Sequence, residues 1–326
     1  MNNREIRTKA KEALKEHFGF GVLASFIVSA IVVGLIVVLF LPIIGFILYL
    51  MALFLALPHL WMGYSWLFLR ILDGEEVTIG NLFDAFKDYG RNLGLYMWKS
   101  FWLFIWGLIG VVGYFIGVVI IVTTVMLSWE VGAGPGIILA IILALLVIIG
   151  AYVPMMIAEY RYAKASWLVF DQQQIPVTSI LDESKKLMKG KKWQLFCLQL
   201  SYTWWAIISI IISIIIGSAV AIFLLFPAIT INLWGEVVVV SYDLLVAAII
   251  VYAISILSIF IMELLVYPRL FMAKAVFYRS LVPREVIENE SLRVHEEENL
   301  ENELQLSPET DAVTDFQQTD DSKGNV

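Results

Sequence analysis

The chain has 326 residues, of which 60% are hydrophobic and only 16% charged, and its formal net charge is −7. Ordinary globular chains carry about 25% charged residues, and a mean hydropathy of +0.84 is more apolar side chain than one water-soluble core can hide. The charge is also unevenly placed: residues 284–326 carry thirteen Asp/Glu against three Lys/Arg, net −10, whereas residues 1–283 carry sixteen against nineteen, net +3. With Cys197 as its single cysteine, the chain forms no intrachain disulfide and no cysteine metal cluster.

In chain order, about eighteen polar and mixed residues come first, and the apolar run that follows is too long for a cleaved secretory signal. Within them, residues 4–18 form an amphipathic helix: Ile6, Ala10, Ala13, Leu14 and His17 oppose Lys11, Glu12, Lys15 and Glu16. Two apolar runs, 20–40 and 46–69, then meet at residues 41–45, where Pro42 and Gly45 suit a tight turn, with one long broken helix as the alternative. A second amphipathic segment at 79–90 sets Ile79, Leu82, Phe83 and Phe86 against Asp84, Lys87 and Asp88. Spans at 101–126 and 137–160 follow, then a third amphipathic segment at 178–190, then spans at 195–226 and 244–267. About 20 helical residues cross about 30 Å of hydrocarbon, and the runs show no period of two, so helices are expected rather than strands. The predicted fold is all-α: six transmembrane helices in three hairpins, each preceded by an amphipathic interfacial helix. The membrane domain occupies residues 1–283, and the acidic tail 284–326 is expected to be mostly disordered.

Connections 41–45, 127–136 and 227–243 contain no Lys or Arg, only Glu130, Glu236 and Asp243. All basic residues fall on the opposite side of the spans, so the positive-inside rule puts both termini in the cytoplasm of a cytoplasmic membrane.

The segments that precede the outward-going spans match one another. Glu12-Ala13-Leu14-Lys15-Glu16-His17-Phe18-Gly19 parallels Asp84-Ala85-Phe86-Lys87-Asp88-Tyr89-Gly90 and, more loosely, Asp182-Glu183-Ser184-Lys185-Lys186-Leu187-Met188-Lys189-Gly190. Each glycine is positioned to end its helix. The returning spans also echo one another: Ser65-Trp66-Leu67 pairs with Ser166-Trp167-Leu168, and Ala163-Lys164-Ala165 with Ala273-Lys274-Ala275. These matches predict a threefold internal repeat.

Lys185, Lys186, Lys189, Lys191 and Lys192 are candidate contacts for anionic lipid headgroups, because a basic amphipathic helix suits the membrane interface. Trp193 and Phe196 begin an apolar helix directly after them, which argues against a nucleic-acid face, and Leu187 and Met188 are expected to face the membrane. His59, Gln199, Thr203 and Glu263 are candidates for an intramembrane polar site. His59 has a bland alternative, a neutral ring bonded to a neighbouring helix; Glu159 reads as pairing with Arg161 or snorkelling at the interface, which leaves Glu263 the better candidate for a buried functional carboxylate. Gly107, Gly110, Gly113 and Gly117 fall on one side of their span and suit close helix packing. No nucleotide-binding, serine-hydrolase, zinc-protease or CxxC motif is present, and no cofactor or metal is expected.

The segment ESKKLMKGKK at 183–192 and the continuation Trp193-Gln194-Leu195-Phe196-Cys197-Leu198-Gln199-Leu200-Ser201-Tyr202 resemble the bacterial integral-membrane family known as domain-of-unknown-function family 975. So do residues 4–19, Leu82-Phe83-Asp84-Ala85-Phe86-Lys87, Leu168-Val169-Phe170-Asp171, and Ala275, Phe277, Tyr278 and Leu281. The resemblance covers roughly residues 1–282. It departs from the family where Tyr202-Thr203-Trp204-Trp205 stands in place of Phe-Ile-Gly-Trp, and in the third and fourth spans. It implies the membrane of a Gram-positive bacterium and no assigned activity, so no catalytic residue is carried over. The expected role is non-enzymatic, binding anionic membrane lipid or a membrane protein partner and not nucleic acid. A small-molecule or ion transporter is the alternative, and a membrane-embedded enzyme a second one.

Overall fold

The computed structural model describes residues 1–39, 41, 43–131, 135–204, 207, 208, 211, 260, 261 and 264–286. Every regular element among them is helical. The elements are α1 (Asn3–Leu14), α2 (Phe18–Val38), α3 (Ile44–Met51), a π turn (Ala52–Ala56), α4 (Leu57–Leu72), a 3-10 helix (Ile79–Phe86), α5 (Tyr89–Val131), α6 (Pro135–Arg161), α7 (Ala165–Asp171) and α8 (Val177–Leu187). Residues 192–204 (α9) and 264–279 (α10) are also helical. Among the described residues, four stretches are long and apolar enough to cross a membrane: Phe18–Val38, Ile44–Leu72, Tyr89–Leu127 and Ile138–Asp171. The expected spans 195–226 and 244–267 lie largely outside the described residues, as does the tail beyond residue 286. The chain divides into a unit Met1–Leu281, which holds all of these helices, and a unit Val282–Val326. In the second unit the Val286 N–H bonds to the Pro283 carbonyl at 3.1 Å.

The apolar pattern is outward as well as inward. Phe104, Val112, Phe115 and Val119 on α5 and Ile138, Leu139, Leu146 and Ile149 on α6 are all exposed. Water strongly disfavours so continuous an apolar surface, and a hydrocarbon surround removes the penalty. Between α5 and α6 the packing is close. Met155 lies near Gly107, Tyr152 covers Gly110, Ala151 covers Gly113 and Ile148 covers Gly117, so a Cβ at any of the last three would collide. Helix α5 is 43 residues long, about 65 Å at 1.5 Å per residue, more than twice the hydrocarbon thickness.

The chain reverses after α2. A Cβ on Gly45 would overlap the Val38 carbonyl, and Gly21 lies against Phe68 while the Ser25 and Tyr64 hydroxyls share a 2.6 Å hydrogen bond. Contacts therefore run in opposite order along α2 and α3–α4. Pro58 has no N–H to continue the helical ladder. The helix accommodates it with a π turn in which the Leu57 N–H reaches the Ala52 carbonyl.

The amphipathic segments differ from their expected form in three ways. Residues 79–86 are a 3-10 helix, and α5 already starts at Tyr89. At three residues per turn, Leu82 and Ala85 share the buried face, Phe83 is exposed, and Asp84 turns inward onto Arg70 at 3.1 Å. The Asp84 side chain is held below the usual carboxylate range: burial opposes its charge, but Lys87, Asn81 and Arg70 outweigh burial. Next, Gly19 and Gly90 lie inside the first turns of α2 and α5. Gly190, with φ of 76°, is the one of the three that takes the left-handed conformation after its helix. Finally, the apolar faces of α1 (Ile6, Ala10, Leu14) and α8 (Ile180, Leu181, Ser184) are buried within the protein, and so is Met188. Ser184 is polar on that face because it is a linker: its hydroxyl donates to the Arg161 carbonyl at 3.0 Å and accepts the Lys164 N–H at 3.3 Å.

At the charged end of the bundle, three distant segments are tied by ions. Arg279 on α10 pairs with Asp73, which caps α4, and with Asp171, the last residue of α7, at 2.5 and 2.6 Å. All three side chains are largely buried. Burial opposes the Arg279 charge, but the two carboxylates outweigh it and raise its pKa above the usual guanidinium value. Beside this frame the two Ser-Trp-Leu segments exchange hydrogen bonds: the Trp66 indole donates to the Ser166 carbonyl at 2.6 Å, and the Trp167 indole to the Ser65 carbonyl at 3.3 Å. Arg91 donates to the carbonyls of Val169, Gln172 and Ile175, which fixes the α7–α8 connection.

Candidate functional site

A chamber of about 600 Å³ includes Ser65, Ser166 and Trp167 of the Ser-Trp-Leu segments in its lining, together with Lys99, Lys164 and Lys274. Each lysine arrives on a different element. Lys99 lies on α5, Lys164 in the turn between α6 and α7, and Lys274 on α10. One carboxylate, Glu159 near the end of α6, joins them, and its Oε1 stands 3.9 Å from the Lys99 ammonium. With all lysines charged, the chamber holds two positive charges in excess of its acid.

Lys164 is fully buried. Its ammonium donates to the Lys274 carbonyl at 3.2 Å and sits over two rings, 3.9 Å from the Trp167 centroid and 4.7 Å from that of Phe277. Aromatic faces stabilise a desolvated cation electrostatically, yet an ammonium has three donors, and no carboxylate lies within ion-pair range of Lys164 among the described residues. Lys274 lies 4.8 Å from the Phe271 ring centroid. Burial, reinforced by repulsion from Lys99 and opposed by Glu159, pushes its pKa down to about 8.

Much of the remaining lining is apolar, with Val28 and Val32 of α2, Leu53 of the π turn, Leu57, and Met156 of α6. The π turn is therefore part of the wall. The Tyr160 hydroxyl, also on the lining, donates to Gln199 Oε1 at 2.6 Å. A smaller cavity of about 360 Å³ shares Trp61, Tyr160, Gln199, Phe271 and Lys274 with the chamber and adds Thr203. Thr203 donates its hydroxyl to the Gln199 carbonyl at 3.0 Å.

Gln199 and Thr203 are thus brought to adjoining cavities, and His59 is not. Its Nδ1 lies 2.8 Å from the Leu55 carbonyl and its Nε2 3.1 Å from the Tyr89 carbonyl, and its ring stacks on Phe86 and Tyr89. His59 therefore bridges the start of α4 to the start of α5. Glu263 lies outside the described residues. In the lysine-rich segment, Lys186, Lys189 and Lys191 are exposed and Lys192 is half-exposed. Lys185 pairs with Asp182 at 2.7 Å and lies 5.7 Å from the Tyr162 ring centroid. Trp193 is 73% exposed beside them and stacks on Phe196. None of these five lysines lines the chamber. Among the described residues no group of three His, Cys, Asp or Glu is placed to hold a metal ion.

Sequence reasoning missed the three chamber lysines. For Lys164 and Lys274 the signal was present in the paired Ala-Lys-Ala segments at 163–165 and 273–275, which read as internal symmetry and not as a site. Glu159, expected to pair with Arg161, lies instead near Lys99, while the Arg161 guanidinium sits 5.6 Å from the Trp106 ring centroid.

Among the described residues the fold is all-helical, and its apolar helices have the length and composition of membrane spans. The chain belongs to the family described as "Protein of unknown function (DUF975)", whose model matches residues 1–234. No match was found among curated proteins or among solved structures.

Proposed function

We propose that this is a non-enzymatic multi-pass membrane protein that binds an anionic amphiphile, a membrane lipid or a molecule built like one, in the lysine chamber. In this reading the chain completes six spans as three hairpins, with its basic end and both termini facing the cytoplasm. The reciprocal Trp66–Ser166 and Trp167–Ser65 hydrogen bonds support the repeat between the first two hairpins. The observation that carries the function is the make-up of the chamber: its lining combines Lys99, Lys164 and Lys274 with an aliphatic set that includes Val28, Val32, Leu53 and Leu57. Such a space complements a negative headgroup on an apolar chain. Cations withdrawn from water, wholly for Lys164 and in part for Lys99 and Lys274, attract an anion more strongly than fully solvated ones do, while the chamber's few polar groups fix the orientation.

The test is calorimetry on the full-length protein in maltoside micelles, titrated with dodecyl phosphate and with an uncharged alkyl glycoside of the same chain length. The phosphate ester is expected to bind and the glycoside not. A K164M/K274M double variant is expected to lose the phosphate signal. Equal heats for the two amphiphiles, or an unchanged signal in the double variant, would end this reading.

A transporter is the second reading, favoured by the smaller cavity that continues past Gln199 and Thr203. It requires the ligand to cross a sealed liposome containing the protein. Binding without any transfer decides for the first reading.

A further inference from the structure

We infer a second anion site, separate from the chamber, in which the headgroup of a phosphate-bearing anionic phospholipid lies in a cleft between α1, α9 and α10. The cleft has a volume of about 600 Å³ and is lined by Arg7, Ala10, Lys11, Leu14, Lys15, Phe18, Tyr202 and Arg269. Its construction follows from helical spacing. Arg7, Lys11 and Lys15 recur every four residues and project from one side of α1, while Ala10, Leu14 and Phe18 recur on the adjoining strip and form an apolar floor. Arg269 closes the cleft from α10, its guanidinium 4.9 Å from the Phe18 ring centroid. The Tyr202 hydroxyl feels the charges of both Arg7 and Arg269, so the cations converge on one volume.

The lining contains four cations and no carboxylate. Glu5 and Glu12 lie on α1 and Glu16 just beyond it, but no ion pair joins any of these acids to Arg7, Lys11, Lys15 or Arg269 among the described residues. Like charges one turn apart destabilise a helix. Over a low-dielectric floor they also focus a positive potential into the cleft, and a bound anion relieves both effects. Two features select a lipid over a soluble phosphate. Phe18 is the first residue of a membrane-length helix, so the cleft opens where that helix would enter a bilayer. The floor of Leu14 and Phe18 offers apolar contact to the start of an acyl chain, which inorganic phosphate cannot use.

The test reconstitutes the full-length protein in nanodiscs of phosphatidylcholine with increasing phosphatidylglycerol and follows amide exchange of residues 5–15. Phosphatidylglycerol is expected to slow this exchange. K11Q and K15Q should each raise the phosphatidylglycerol content at half-effect about fivefold, the counterpart of ~1 kcal/mol per basic residue at an anionic surface. R269Q should do the same from the opposite wall. Both lysines are exposed, so their variants keep the fold, and K164M, which alters only the chamber, should leave the midpoint unchanged. Three results overturn the inference: no slowing by phosphatidylglycerol, an unchanged midpoint in all three cleft variants, or equal slowing when inorganic phosphate is added to pure phosphatidylcholine nanodiscs. The last assigns the cleft to a soluble anion.

Discussion

Two groups of lysines stand in contrast. Residues 185–192 hold five lysines in eight positions, and the structure spreads them over the end of α8, the turn after it and the start of α9, with Lys185 paired to Asp182. Lys99, Lys164 and Lys274 are scattered along the sequence and meet in one chamber. Local density of charge marks a surface, because like charges crowded in sequence are stable only where water or headgroups screen them. Convergence of isolated charges marks a site, because withdrawing them from water, wholly for Lys164 and in part for Lys99 and Lys274, has a desolvation cost that the fold sustains elsewhere.

The largest effect expected to break this contrast comes from the ion frame beside the chamber. R279M leaves Asp73 and Asp171 buried without their shared cation, and removing one partner of a buried pair typically costs 3–5 kcal/mol, so about that loss is expected. Thermal unfolding in micelles, followed by near-ultraviolet circular dichroism, checks it, and an unchanged midpoint would mean the frame does not bear on the fold. Next comes K164M, which keeps the volume and removes the caged charge. Affinity for dodecyl phosphate is expected to fall at least tenfold, about 1.4 kcal/mol, with the circular dichroism spectrum retained.

A pH titration is subtler. Lys274 is charged below pH about 8, so ligand affinity should be highest there and weaken as pH rises through that value. K274M should lack the step. Stability without ligand should move the opposite way. The pKa of Lys274 in the folded chain lies below its unfolded value of about 10.4, so between about 8 and 10 the unfolded chain holds more protons and stability rises with pH. A binding step at the ordinary lysine pKa would remove Lys274 from the site.

The smallest effect belongs to the dense cluster. K186Q/K189Q/K191Q should shift stability by no more than about 0.5 kcal/mol per site and leave dodecyl phosphate binding unchanged. Its effect should appear only as faster amide exchange of residues 183–192 on anionic bilayers, and equal exchange on neutral and anionic bilayers would show that the cluster does not read lipid charge.

Much of the architecture was legible in the chain. Apolar runs of bilayer length announce the helices at Phe18–Val38 and Ile138–Asp171, because the requirement acts residue by residue along one segment. Helical periodicity likewise marks α1 and α8. It did not tell which medium their apolar faces would meet, since Ile6, Ile180 and Met188 are equally apolar whether they contact lipid or protein. The 3-10 form of residues 79–86 was hidden for a similar reason: Leu82 and Phe83 both fit a helical apolar face, and the Asp84–Arg70 contact goes with one over the other.

The sequence by itself determined the helical class and the membrane-length segments, because these follow from composition and local period. Only the tertiary structure decided that Lys99, Lys164 and Lys274 share a chamber and that Arg269 faces Arg7, Lys11 and Lys15. Those pairings depend on how distant helices cross. The crossings are fixed by contacts such as Gly113 on Ala151 and by the Asp73–Arg279–Asp171 frame, whose partners lie too far apart in the chain for any local pattern to connect them.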